Sequence, residues 1–258
     1  MEELLFDLSD GIGRITFNRP AARNALTFAM YERLAAICDE VAGRRDVRAL
    51  ILTGAGDKAF AAGTDIGQFR AFTKPEDAIA YEARLDRVLD RLERCPVPTI
   101  AAIAGACTGG GFGIAAACDL RIAARGARFG FPIARTLGNC LSMSNYARLA
   151  ALIGPARVTD IIFTARLVEA EEARAIGLVS EVLEDHAALM ARAGALAEQV
   201  ASHAPLTLRA TKEALRRLRT GEGPADGQDL ILMCYMSRDF REGMEAFLAK
   251  RPPRWGGE

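Results

Sequence analysis

Apolar and polar residues alternate through LLFDLSDGIGRITFNRP (4–20) and break at Asp10-Gly11. That pattern predicts a β-hairpin. Beyond Thr27, a favourable N-cap, apolar residues recur at helical spacing to about Gly43. VRALILTG (47–54) and TIAAIAG (99–105) are nearly continuous apolar runs and predict buried strands. A charged amphipathic helix is predicted over 76–94, stopped by Cys95-Pro96-Val97-Pro98. GGGFGIAAAC (109–118) predicts a glycine turn feeding a short buried helix, and DLRIAA and ARFGF predict short strands. Helices are predicted around 142–153 and 155–163, and LVSEVL (178–183) is the last predicted strand. From Asp185 the pattern is helical, with a break at Gly221–Gly227 and a final helix from about Ser237 to Lys250. The expected class is α/β, with a strand-and-helix core over 1–184 and a helical region over 185–258. A TIM barrel needs eight strand–helix units, and this chain runs out of strands.

Composition narrows the function classes. The 258 residues carry 33 basic and 33 acidic side chains, so no general nucleic-acid footprint is expected. No stretch has the roughly 18 uninterrupted apolar residues of a membrane span. The N-terminus does not read as a secretory signal, and a cytoplasmic location is expected. Six scattered cysteines without a CxxC, and only two histidines, give no reason to expect a metal site. The cysteines read as reduced, small apolar side chains.

Chemistry is suggested by two glycine-rich turns after buried strands, TGAGDKAFAAGTD (53–65) and GACTGGGFG (105–113). One reading is a dinucleotide fold, but the spacing of GxGxxG and its partner acid are not met cleanly. A P-loop is excluded, since GxxxxGK[ST] is absent. The other reading is an oxyanion hole. Glycine allows close backbone approach, and unpaired N–H groups at a helix start carry partial positive charge. One such donor contributes about 3–4 kcal/mol to a developing oxyanion.

NRPAARNAL (18–26), ALILTGAGDKAFAAGTDI (49–66), PTIAAIAGACTGGGFGIAAACDLRIAA (98–124), FTARLVEAEEARAIGLVSEV (163–182) and EGMEAFLAKRPPRW (242–255) resemble the enoyl-CoA hydratase/isomerase (crotonase) superfamily, in order along the chain. The resemblance implies a crotonase-like spiral of repeated ββα units, C-terminal helices that assemble a homotrimer or dimer of trimers, and an acyl-CoA ligand. Coenzyme A would be the carrier part of the substrate, with no prosthetic group. By resemblance, the oxyanion donors fall on the amides of Ala62 and Gly110. Arg23 and Ala25 match the loop at the coenzyme A nucleotide. Ala61, Gly63, Thr64, Asp65 and Ile66 match the turn around the thioester and adenine end. Phe247 and Lys250 match a tail that reaches coenzyme A from a neighbouring subunit. Helix N-capping is the plainer role for Asp65.

The sequence departs from the hydratase pattern at the two glutamates that handle water. Their positions fall on Gly113 and Ile133, and the only acid between Cys95 and Thr159 is Asp119, at a structural position. Cys140, Tyr146, Asn139, Ser142 and Ser144 are the substitutes at hand in that stretch. Arg135, after the FGFPI strand, is a candidate contact for an anionic acyl group or phosphate. The expected function is an enolate-stabilising acyl-CoA enzyme, a lyase or isomerase of open reaction. The alternatives are a non-catalytic acyl-CoA binder and a nucleotide-fold oxidoreductase.

Overall fold

The computed structural model describes residues 2–258. β1 (Leu4–Ser9) and β2 (Ile12–Phe17) form the expected antiparallel hairpin. Asp10 and Gly11 both hold positive φ, as its two-residue turn requires. Thr27 caps α1 (Phe28–Ala42), its hydroxyl accepting from Met30 N at 3.3 Å. Three strand pairs come next: β3 (Ala49–Gly54) with β4 (Ala59–Ala61), β5 (Thr99–Ile103) with β6 (Ala106–Thr108), and β7 (Leu120–Ala124) with β8 (Arg128–Gly130). Helix α2 (Pro75–Glu93) separates the first pair from the second, and α3 (Gly110–Ala117) separates the second from the third.

The chain continues through α4 (Ile133–Thr136), α5 (Met143–Ile153), α6 (Pro155–Thr164), β9 (Val168–Glu169), α7 (Ala170–Ala175) and β10 (Glu181–Leu183). It ends in α8 (His186–Ala201), α9 (Pro205–Thr220), α10 (Gln228–Tyr235) and α11 (Arg238–Leu248). The first strand of each pair enters a six-stranded sheet of order β1-β2-β3-β5-β7-β10. The second strand of each enters a four-stranded sheet of order β4-β6-β8-β9. β3, β5 and β7 pair in parallel, and so do β4, β6 and β8. This is a three-turn spiral of ββα units, not a doubly wound dinucleotide sheet, and it overturns the oxidoreductase alternative.

Both faces of the large sheet are covered, which is why its strands read as continuous apolar runs. Leu50, Leu52, Ala101 and Ile103 face a core shared with Leu34, Val88 and Phe112. Ala49, Ile51, Ile100 and Ala102 face Leu189, Ala193 and Ala197 of α8, where alanines let the helix lie close. Thus the first helix after residue 184 completes the core, and α9–α11 form the outer helical region. Asp119 is structural: its Oδ2 accepts from Thr99 N at 2.8 Å, Thr99 Oγ1 at 2.9 Å and Lys212 Nζ at 2.6 Å. All six cysteines are free, with Cys140 exposed and Cys38, Cys95, Cys107 and Cys118 buried.

Candidate active site

The two glycine turns meet. β4 and β6 are parallel neighbours, so the segments leaving them emerge side by side. Gly63 holds φ +100° and Gly109 φ +52°, and a Cβ on Gly109 would lie 3.3 Å from Gly63 Cα. Gly110 then opens α3 against Thr64 and Tyr31. A Cβ there would sit 1.9 Å from Tyr31 Oη and 3.1 Å from Thr64 Oγ1. Only glycine fits this approach.

The main chain around residues 62–65 is tied to the loop at 23–26. Ala62 N–H donates to Arg23 O at 3.1 Å, Leu26 N–H to Gly63 O at 2.8 Å, and Asp65 N–H to Leu26 O at 2.9 Å. The expected donor Ala62 is therefore corrected: its amide is already engaged by the protein. In this strand-like ladder Thr64 bridges Leu26 in parallel, with Gly63 O and Asp65 N turned toward Leu26. The amide of Thr64 accordingly faces the other side. Among the described residues Thr64 N–H has no acceptor. Gly110 N–H has none either, as the first residue of its helix.

A cleft of about 210 Å³ opens beside these amides. It is lined by the Thr64 and Gly110 turns, by Tyr81, Glu82 and Leu85 of α2, and by Phe131–Ile133, Leu141 and Asn145. Gly113 and Ile133 line it as well, so the positions where the resemblance places glutamates do face the cleft without carrying a carboxyl group. Larger hollows of about 480 and 580 Å³ lie elsewhere, among the C-terminal helices and between α5 and α9. Neither touches the glycine turns.

Thr64 Oγ1 is the centre of a hydroxyl chain, 2.8 Å from Tyr31 Oη and 2.8 Å from Tyr81 Oη. Burial pushes both phenols above their ordinary range, so both stay neutral. Among the described residues Glu82 is the only charged side chain lining the cleft. Its Oε2 is sealed from solvent and has no hydrogen-bond partner. Burial, reinforced by Asp86 one helical turn on, raises its pKa above the usual carboxylate range, while a main-chain hydrogen bond from Ser142 opposes the shift.

The remaining residues singled out from the sequence lie both at the cleft and away from it. Asp65 is an N-cap, accepting from Gly67 N at 3.1 Å, and its Oδ2 pairs with Arg19 at 3.0 Å. Ala61 is buried at the end of β4, and Ala25 O accepts from Arg19 NH1 at 2.6 Å. Arg23 is exposed, with no ion pair among the described residues, on a loop where it and Asn24 hold positive φ. Ile66 is half exposed beside the cleft. Phe247 is 83% exposed on α11 and lines the C-terminal hollow, and Lys250 is exposed just beyond that helix. In the single chain neither lines the cleft. Nor do Arg135, Cys140, Tyr146 or Ser144, and Ser142 instead donates to Asp86 at 2.6 Å.

Glu82 is not among the residues that the sequence motifs single out. Its signal is nonetheless present: it precedes Leu85 by three residues and Leu89 by seven, on the buried stripe of α2. An acid on an apolar stripe is the feature to look for.

Comparison with known proteins decides the family. The family model for enoyl-CoA hydratase/isomerase matches residues 7–258. The chain belongs to the enoyl-CoA hydratase/isomerase family. It is 34% identical to a short-chain-enoyl-CoA hydratase of Clostridium acetobutylicum, over 97% of this chain and 96% of that one. A putative enoyl-CoA hydratase/isomerase of Bacillus subtilis is 36% identical, with 97% and 96% covered. Among solved structures, an enoyl-CoA hydratase/carnithine racemase from Magnetospirillum magneticum superposes with a TM-score of 0.92 at 35% identity, covering 100% of this chain and 97% of that one. An enoyl-CoA hydratase from Bacillus anthracis gives 0.88 at 33%, with full coverage of both chains. Membership in this hydratase/isomerase family agrees with the two-sheet spiral. Among the described residues no helix is long and apolar enough to cross a membrane.

Proposed function

We propose that this chain is an enzyme acting on acyl-CoA thioesters, and that it holds the enolate oxygen of its substrate on the amides of Thr64 and Gly110. The observation that carries the reading is the pair of unacceptored N–H groups where two glycine turns touch, at the wall of an apolar cleft. A bound acyl chain would displace water from such an apolar cleft, so the amide dipoles would act at low dielectric and need no reorganisation. The amide pair belongs to the backbone and survives changes in the side chains around it. Its integrity favours catalysis over passive binding, even with Gly113 and Ile133 in place of glutamates.

The rest of the ligand is assigned by the resemblance to the family. Arg23, an exposed cation on a fixed loop, and Ala25 would meet the nucleotide end of coenzyme A. Ala61, Gly63, Thr64, Asp65 and Ile66 would shape the turn around the thioester and adenine end, with Asp65 as the cap that fixes it. Phe247 and Lys250 would act only in an assembly, a trimer or dimer of trimers, in which α11 of one chain reaches the next. No prosthetic group or metal is required for enolate formation on this plan.

Calorimetric titration with a panel of acyl-CoAs, with free coenzyme A and NAD as controls, tests the ligand. Mass spectrometry of each thioester after incubation in deuterated buffer tests the chemistry. Micromolar acyl-CoA binding with deuterium gained at the α-carbon is the expected result. Binding without exchange on any thioester would leave the non-catalytic binder as the correct reading.

A further inference from the structure

We propose that Glu82 is the proton carrier of this site, a catalytic carboxylate supplied by α2 rather than by α3 or the segment after β8. The proposal rests on the reading that an acyl-CoA occupies the cleft. In the step assigned to it, the Glu82 carboxylate takes a proton from the α-carbon of the thioester. The C–H electron pair becomes the Cα–C1 π bond, and the carbonyl π pair moves onto oxygen, facing the Thr64 and Gly110 amides. The carboxylic acid then returns a proton to carbon as the electrons flow back. Nothing is oxidised or reduced, and no other reactant is consumed.

Three observations converge on this side chain. First, it lines the same cleft as the two free amides, and among the described residues no other lining side chain is charged. Thr136, Asn139 and Asn145 carry no titrating group, and Tyr81 spends its hydroxyl on Thr64. Second, Oε2 is buried without a hydrogen bond, and no Arg or Lys pairs with Glu82 among the described residues. A stability role would have supplied a partner: Glu32 on α1 takes both Arg84 and Arg87 of the same helix. A buried carboxylate oxygen left open in a folded protein is costly and points to function. Third, the neighbours withhold what would make it a weak base. Asp86 is four residues on, Tyr31 and Tyr81 are neutral, and only a main-chain hydrogen bond from Ser142 favours the charge. A carboxylate so placed is more basic than one in water, which suits removal of a carbon-bound proton.

The experiment uses the full-length protein with but-3-enoyl-CoA and phenylacetyl-CoA as probes. Deuterium uptake at the α-carbon is followed by mass spectrometry, and affinity is measured by calorimetry. Glu82→Gln keeps the shape and removes the base. It should slow exchange at least about 100-fold, within the range for a positioned acid–base group. Affinity should stay within about threefold, because a residue acting only in proton transfer adds little ground-state binding. Glu82→Asp should fall between the two, retaining the base but retracting it by one methylene. Circular dichroism confirms that the variants fold, and a Gln variant that fails to fold leaves the Asp variant to decide. Exchange by Glu82→Gln within threefold of the unmodified protein overturns the assignment, as does undiminished exchange by Glu82→Asp if only that variant folds. Binding without exchange in the unmodified protein overturns it too, while leaving the ligand class standing. Absence of any acyl-CoA binding overturns the acyl-CoA reading and Glu82 with it.

Discussion

Replacing Gly110 with alanine places a methyl group 1.9 Å from Tyr31 Oη, far inside van der Waals contact. Tyr31 cannot swing away, being 1% exposed and tied through its hydroxyl to Thr64 at 2.8 Å. Overpacking a filled site of this kind costs about 1–3 kcal/mol. Tyr31→Phe alone removes one hydrogen bond, a loss of about 0.5–1.5 kcal/mol, while Thr64 keeps Tyr81 at 2.8 Å. In the double variant the offending oxygen is gone. The nearest remaining atoms are then Thr64 Oγ1 at 3.1 Å and the ring carbon at 3.2 Å, distances relieved by shifts of tenths of an ångström. Gly110→Ala should therefore cost under about 1 kcal/mol in the Tyr31→Phe background, a coupling of about 1–2 kcal/mol. Urea unfolding of the four proteins at one fixed protein concentration measures it, since association would shift the midpoints. Additivity within about 0.5 kcal/mol would refute the claim that the phenol oxygen enforces glycine at this turn.

Asn24 carries three hydrogen bonds, from Arg19 N at 3.0 Å and to Ala59 O at 2.7 Å and Ala55 O at 3.1 Å, on a backbone held at φ 56°. Asn24→Ala should destabilise by about 2–4 kcal/mol in thermal unfolding, and a loss below about 1 kcal/mol would show that the loop is not pinned there. Gly113→Ala should be tolerated, because its Cβ meets Leu89 at 3.5 Å and Asn145 at 3.7 Å, ordinary contacts. A gain of about 0.4–1 kcal/mol in urea unfolding is expected inside a helix, and destabilisation would contradict it. Hydrogen bonds from Arg216 and then Arg217, set against partial burial, hold the Glu213 carboxyl down at about 2. A depressed acid stabilises the fold above its ordinary pKa of 4.5 and loses that contribution as pH falls toward 2. Glu213→Gln should therefore flatten the acid limb of melting temperature against pH, and parallel curves for the two proteins would count against the linkage. Glu82 has the opposite sign. Its raised pKa makes the charged form a burden on the folded state, so Glu82→Gln should raise the melting temperature more at pH 8 than at pH 4.

Most long elements are legible in the sequence because their burial is one-sided and periodic. Thr27 starts α1 and the apolar runs become β3 and β5 as the pattern predicts. Of the second sheet only β8, within ARFGF, is legible. β4 and β6 are three residues each, and β9 two, too short to show a period. Yet those strands bring the glycine turns together. α10 lies in the stretch read as helical after the Gly-rich break, though its apolar run DLILMCY carries no polar face to mark its bounds. At the site, the motif locates both turns, but the free amide is at Thr64, two residues beyond the expected Ala62. The direction of an amide depends on which neighbour takes the adjacent carbonyls, and the pairing of residues 23–26 with 62–65 is a tertiary fact. Glu82 lies on α2, outside the segments in which the resemblance places glutamates, so no motif points to it.

A division of labour between backbone and side chain accounts, on the proposed reading, for how a chain can lack both expected glutamates and still be built for catalysis. In the proposed mechanism, charge on the thioester oxygen would be met by N–H groups whose positions depend on Gly63, Gly109 and Gly110, not on the side chains farther along α3. The proton carrier has a looser requirement: one base within reach of the α-carbon, from whichever element borders the space. α2 packs along α3 through Leu85, Leu89 and Phe112, so a residue one turn before Leu85 is delivered to the same cleft. The substitution has a chemical consequence. Two carboxylates can hold one water between them as base and acid, whereas the single charged group here can take a proton and give it back. Removal and return of an α-proton needs no positioned water, so with Glu82 as the proposed proton carrier the expected reaction is isomerisation of a bound thioester rather than addition across its double bond.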